Sequence, residues 1–122
     1  NGMNVFSFAI SKPPRSVEQF MAEENIDRNE DVDYFLIHQA NKMIVDRVVK
    51  KLKLPVDKVP YNLEEYGNLG GASIPSLMVT RLRDELTTAP QRLMMSSFGL
   101  GLSWATMSAT LGPMTIPELQ YI

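Results

Sequence analysis

Residues 33–42 read "DYFLIHQANK". The stretch "DYFLIH", residues 33–38, is apolar continuously rather than alternately, the pattern of a short strand buried on both faces. A strand of that kind belongs inside a layered α/β sheet. It ends on His38, the only histidine of the chain, and Gln39, Ala40 and Asn41 follow. After Asn41 the period lengthens to that of a helix: Ile44, Val48 and Leu52 fall on one face with Val45 and Val49 beside them. This amphipathic helix is expected to run to about Leu54, where Pro55 closes it.

Working outward, residues 3–10 are apolar and compatible with a helix. Pro13 and Pro14 then interrupt, because a proline pair breaks a helix interior but suits a first turn. A second helix is expected from about Pro14 to Glu24, with Val17, Phe20 and Met21 as its buried stripe. The polar run "EENIDRNEDVD" is a surface connection. Beyond Pro55 the segment "DKVPYNLEEYGNLGGAS" reads as turn-rich. Ser73 or a close neighbour is expected to cap a third helix with Pro75 in its first turn and Ile74, Met78, Leu82 and Leu86 on its buried face. "RLMMSSF" and "LSWATMSATL" read as strands joined at "GLG". Strands interleaved with helices give one α/β domain over 1–122, helices layered on a small mixed sheet.

The composition narrows the classes. The chain has 122 residues, 44% hydrophobic and 21% charged, with a formal net charge of −2. That is a globular composition, and the acidic balance argues against nucleic acid as a partner. No apolar run reaches the ~18–20 residues of a membrane-spanning helix, and "NGMNVFSFAI" lacks the charged start and cleavage site of a signal peptide. The expected location is therefore cytoplasmic, with no membrane partner. Zero cysteines exclude a disulfide framework or thiolate metal site, and one histidine among scattered acids is a poor metal inventory. Asn1-Gly2, with no initiating Met, reads as an interior boundary of a longer protein.

Four features could carry chemistry. His38 sits where α/β sheets present reactive groups, at the carboxyl end of a strand; a core histidine satisfied by a backbone carbonyl is the other reading. "YGNLGGASIP", residues 66–75, has glycines ahead of a helix but no Lys-Ser/Thr pair, so it does not match a phosphate loop. Asn68 stands there between two glycine turns, placed to project into a cleft. "SFGLGLSW", residues 97–104, is either a plain hairpin or a turn whose Gly99, Leu100 and Gly101 backbone N–H groups build an oxyanion hole. The helix after His38 carries Lys42, Arg47, Lys50, Lys51 and Lys53 against Asp46 alone. This is either a solvated face with an Asp46–Lys50 pair or a docking surface for an acidic partner.

In this order, "HQAN", a helix, "YGNLGGASIP" and "FGLGLSW" resemble the C-terminal half of 3-oxoacyl-[acyl-carrier-protein] synthase III, a β-ketoacyl synthase of the thiolase superfamily. The likeness covers most of the chain, to about Leu111. Elongating ketosynthases carry a second histidine in place of the asparagine, and chalcone-synthase-like enzymes follow the histidine with Pro-Gly-Gly; neither pattern is present. The resemblance implies a thiolase-like half-fold and a Cys-His-Asn triad, with His38 and Asn68 as the catalytic pair. The cysteine belongs to an N-terminal half. It further implies decarboxylative condensation of an acyl group from acyl-CoA with malonyl-carrier protein in fatty-acid or related biosynthesis.

The same likeness implies that Asn41 contacts substrate and that Lys42, Arg47 and Lys50 dock acyl carrier protein. The full-length enzyme is expected to be a homodimer, with no cofactor beyond the CoA thioester it uses as substrate. Alone, this chain is expected to be inactive and to expose a large apolar face. Some positions depart from the family: Leu69 and Gly70 replace a Thr-Ser pair, Met43 stands where many members have arginine, and Leu100 replaces a glycine. Pro13-Pro14 interrupts an expected long helix. The rival reading is a non-catalytic module of the same fold that only docks carrier protein, CoA or a partner subunit.

Overall fold

The computed structural model describes residues 2–99 and 102–121. Two helices lead, α1 (Gly2–Ala9) and α2 (Lys12–Glu23), and both prolines sit in the first turn of α2, where no N–H is needed. Between them Ser11 Oγ donates to the Ser7 carbonyl at 2.7 Å. Val17 and Met21 are buried and Phe20 is half-buried against the same core. The first strand, β1 (Tyr34–Ile37), is shorter than the apolar run predicts. Asp33 stops short of it and binds Arg92, whose guanidinium and backbone N–H hold the carboxyl below its usual range.

Helix α3 (Lys42–Leu52) follows, capped by Asn41, whose Oδ1 accepts from the Ile44 N–H at 2.9 Å. Lys53, with φ 53°, closes it ahead of Pro55. The turn-rich stretch beyond Pro55 contains a short helix, α4 (Leu63–Tyr66), and two 3₁₀ turns, Val56–Lys58 and Gly70–Ala72.

The expected third helix is two: α5 (Ser73–Thr80) and α6 (Arg83–Thr88). Both the Arg81 and Leu82 N–H groups bond to the Leu77 carbonyl, widening the last turn of α5. Arg81 is meanwhile drawn to the Tyr61 carbonyl and Glu65. The helical phase is reset, so Ser73 and Leu77 form the buried side of α5, with Ile74 and Met78 only half-buried; Leu82 and Leu86 enter the core from the next segment. Ser73 does not cap α5 but is its first residue, and its buried Oγ has no hydrogen-bond partner among the described residues.

Strands β2 (Gln91–Gly99) and β3 (Ser103–Leu111) complete a mixed sheet of order β1-β2-β3, parallel then antiparallel. The period-2 pleat sends Phe35, Ile37 and Met94 to one face, under α2 and α3. Leu36, Leu93 and Met95 go to the other, under α5 and α6. Each such large side chain contributes about 1.5–3 kcal/mol by leaving water. The tail seats Ile116 in the second core. It turns at Gly112, φ 102°, where a Cβ would lie 2.8 Å from the carbonyl oxygens of Leu86 and Ala89.

Candidate active site

His38 is placed by sheet geometry. Its N–H donates to the Ser96 carbonyl at 2.9 Å, extending the β1–β2 ladder by one residue, and its own carbonyl accepts from Ala40 at 3.1 Å. In the register Ile37 pairs with Ser96, so Phe98 lies just beyond the strand end. The Phe98 ring meets the imidazole edge-on, centroids 4.8 Å apart at 67°. His38 is 8% exposed, and this burial holds its pKa below the ordinary value. The side chain is therefore neutral near pH 7, with one nitrogen carrying a proton to donate.

Asn68 arrives from the other side. At Gly67 (φ 66°, ψ −161°) the chain leaves α4 through a conformation that L side chains rarely adopt. The Asn68 Oδ1 then accepts from the Gly70 N–H at 2.9 Å. Since that partner can only donate, the amide orientation is fixed and Nδ2 is left as a donor. His38 and Asn68 both line a cavity of about 730 Å³, walled also by Gly70, Gly71, Phe98 and Trp104.

The apolar wall was not singled out from sequence. Phe8 meets Phe98 at 6.2 Å and Trp104 at 5.5 Å, both edge-on. Phe98 and Trp104 are register partners in the antiparallel pair, and in the sequence each stands three residues from Gly101, which was the available signal. Val5 and Leu102, 45% and 53% exposed, extend the wall to the cavity mouth. Gly99 lies on the rim at the end of β2; Leu100 and Gly101 lie outside the described residues.

The remaining candidates sit elsewhere. Asn41 is exposed, does not line the cavity, and commits its Oδ1 to capping α3. The expected Asp46–Lys50 pair is replaced by Lys42–Asp46 at 2.8 Å. The same carboxylate accepts from the Tyr61 hydroxyl at 2.8 Å, and the Lys42 ammonium lies 5.3 Å from the Tyr61 ring centre. Burial and that carboxylate push the Tyr61 hydroxyl up to about 12. Lys42, Arg47 and Lys50 all line, with Met43 and Asp46, one shallow groove along α3. Among the described residues no three His, Asp or Glu side chains converge as a metal site, and no helix is long and apolar enough to cross a membrane.

Helices on both faces of a mixed sheet, with a buried histidine at a parallel strand's carboxyl end and an asparagine turn across the cleft, describe a thiolase-like half-fold. The chain belongs to the family described as 3-oxoacyl-[acyl-carrier-protein (ACP)] synthase III C terminal, whose model matches residues 21–111. It is 41% identical over 106 residues to the beta-ketoacyl-[acyl-carrier-protein] synthase III of Limosilactobacillus reuteri, covering 87% of this chain and 32% of that protein. It superposes on a crystal structure of 3-oxoacyl-(acyl-carrier protein) synthase from Burkholderia xenovorans with a TM-score of 0.91 and 37% identity, covering 97% of this chain and 34% of that one. For the synthase III of Pseudomonas aeruginosa the TM-score is 0.82 at 31% identity, over 96% and 36% of the two chains. The chain thus spans about a third of the length of the relatives it matches.

Proposed function

We propose that this chain is the C-terminal catalytic part of a synthase III-type acyltransferase and supplies the histidine and asparagine of a Cys-His-Asn triad. The cysteine comes from an N-terminal half of the same protein; this chain has none. The observation that carries the reading is that His38, held neutral by burial, and the Asn68 amide line one cavity from different elements.

In this mechanism the cysteine thiolate attacks the carbonyl of an acyl-CoA, expels CoA and becomes the acyl-enzyme. Malonyl-carrier protein then enters, its carboxylate leaves as CO2, and the electron pair delocalises onto the thioester oxygen as an enolate. The His38 imidazole N–H and the Asn68 Nδ2 donate to that oxygen. Two preorganised donors of this kind contribute roughly 3–4 kcal/mol each, and neither need ionise. The enolate carbon attacks the acyl-enzyme, the carbon–carbon bond forms and the thiolate leaves, giving a 3-oxoacyl-carrier protein. Gly99, Leu100 and Gly101 would furnish backbone donors for the tetrahedral steps.

The CoA thioester serves as substrate, with no added cofactor. The carrier docks along α3, where Lys42, Arg47 and Lys50 offer positive charge beside Met43, with Lys42 also paired to Asp46. Asn41 serves substrate in this reading through α3, which its side chain caps. The whole enzyme works as a cytoplasmic homodimer in fatty-acid or related biosynthesis.

Substitution in the full-length protein tests this. His38→Ala and Asn68→Ala should each lower condensation by roughly 10²–10³-fold while acyl transfer from acyl-CoA persists in part. Condensation at the wild-type rate in either variant rejects the assigned role.

A further inference from the structure

Two amide side chains are buried beside the site and take no part in the chemistry above. Gln39 is 0% exposed and Asn62 is 1% exposed. Gln39 Nε2 donates to the Ile37 carbonyl at 2.8 Å, and its Oε1 accepts from the Asn62 N–H at 3.3 Å. Asn62 Nδ2 in turn donates to Ser76 Oγ at 2.8 Å and Thr80 Oγ1 at 3.2 Å, both on α5. We propose that Gln39 and Asn62 form a buried amide bridge that sets the position of His38 relative to the Asn68 turn, making both of them positioning residues for the condensation. The inference rests on the catalytic reading of His38 and Asn68.

The bridge begins at the peptide unit that carries His38. The Ile37 carbonyl is held by Gln39, the His38 N–H by Ser96 and the His38 carbonyl by Ala40. Both flanking peptides are thus fixed, so the Cα from which the imidazole projects is held in place, and the Phe98 ring bounds one side of the ring. At the far end, the turn bearing Asn68 runs directly through the 3₁₀ turn Gly70–Ala72 into α5. Anchoring α5 through Ser76 and Thr80 therefore anchors the base of the Asn68 turn. The direction of each bond is determined as well. The Ser76 and Thr80 hydroxyls donate to the Ser73 and Ser76 carbonyls at 2.6 and 2.7 Å, so toward Asn62 they can only accept.

Stability alone does not account for these amides. Asn62 Oδ1 is buried with no hydrogen-bond partner among the described residues. A buried orphan acceptor costs about 1–3 kcal/mol, and an apolar residue of similar shape would avoid it. A polar group kept in the core under that penalty is better explained by the geometry it imposes.

The test uses the full-length protein, with single-turnover CoA release reporting acyl transfer and 3-oxoacyl product reporting condensation. Gln39→Met keeps the side-chain volume and removes both of its bonds. It should lower condensation about 10- to 100-fold, the cost of misplacing a catalytic group by up to an ångström, with the acyl-transfer burst and the KM for malonyl-carrier protein unchanged. Ser76→Ala, a mild change on a helix that leaves folding secure, should show a smaller loss confined to the same step. The bridge is overturned if both variants keep the wild-type ratio of condensation to acyl transfer, or if the two steps fall together in proportion to the folded fraction. His38→Ala run alongside separates the two levels of argument. If it condenses normally the proposed function fails, whereas a dead His38→Ala with normal Gln39→Met and Ser76→Ala removes only the bridge.

Discussion

A single imidazole decides how this molecule responds to mild acid. His38 is the only histidine, and burial lowers its pKa from the ordinary value. The folded state therefore binds its proton less readily than the unfolded chain, which protonates near pH 6.5. Between the depressed folded value and about 6.5 the unfolded state carries more protons, so stability falls as the pH drops through that window. The carboxylates with strong partners, Asp27, Asp33 and Asp46, are all shifted downward and titrate below it. Unfolding midpoints measured from pH 7.5 to 5 should decline, and His38→Gln should flatten the decline. The one imidazole signal in a proton NMR titration should move at a pH below 6.5; a midpoint above it would contradict the burial argument.

At the scale of elements, the sequence was most legible where one period governed a whole segment. The unbroken apolar run ending at His38 announced β1, and Ile44, Val48 and Leu52 announced α3, because burial on a sheet imposes those repeats. The break between α5 and α6 was illegible: no glycine or proline marks Arg81-Leu82, and the cause is a tertiary pull on Arg81 from Tyr61 and Glu65. The Asp46 partner was equally hidden, since Lys42 and Lys50 are both four residues away and the Tyr61 ring tips the choice. Within the site, His38 and Asn68 stood out as a lone imidazole and an amide between glycine turns. Gln39 and Asn62 did not, because a buried amide looks like any other polar residue until its partners are known. Asn41 illustrates a residue whose local duty is clear from geometry. Its Oδ1 caps α3, so Asn41→Ala should cost about 1 kcal/mol in chemical denaturation and Asn41→Ser should recover most of it. An unchanged midpoint in Asn41→Ala would deny the cap any energetic role.

At the scale of the whole molecule, the cavity is bordered by exposed apolar side chains. Val5, Leu102 and Trp104 line its mouth at 45%, 53% and 45% exposed, all on the face that carries α1 and the β2–β3 turn. Met107, 54% exposed, projects from the opposite face of β3 because the pleat alternates. Contiguous apolar side chains at one cleft rim attract other apolar surface, so the isolated chain should self-associate as its concentration rises. Leu102 offers a clean way to test the cause. Its φ of 52° lies in the left-handed region, which asparagine tolerates better than leucine. Leu102→Asn should therefore relieve backbone strain while removing apolar surface from the rim. Sedimentation velocity should show the wild-type chain associating and Leu102→Asn shifted toward monomer, with a thermal midpoint equal or higher. A wild-type chain that sediments as a clean monomer at high concentration would mean that the aromatic cluster of Phe8, Phe98 and Trp104 satisfies this face internally, and the rim would then need no covering surface.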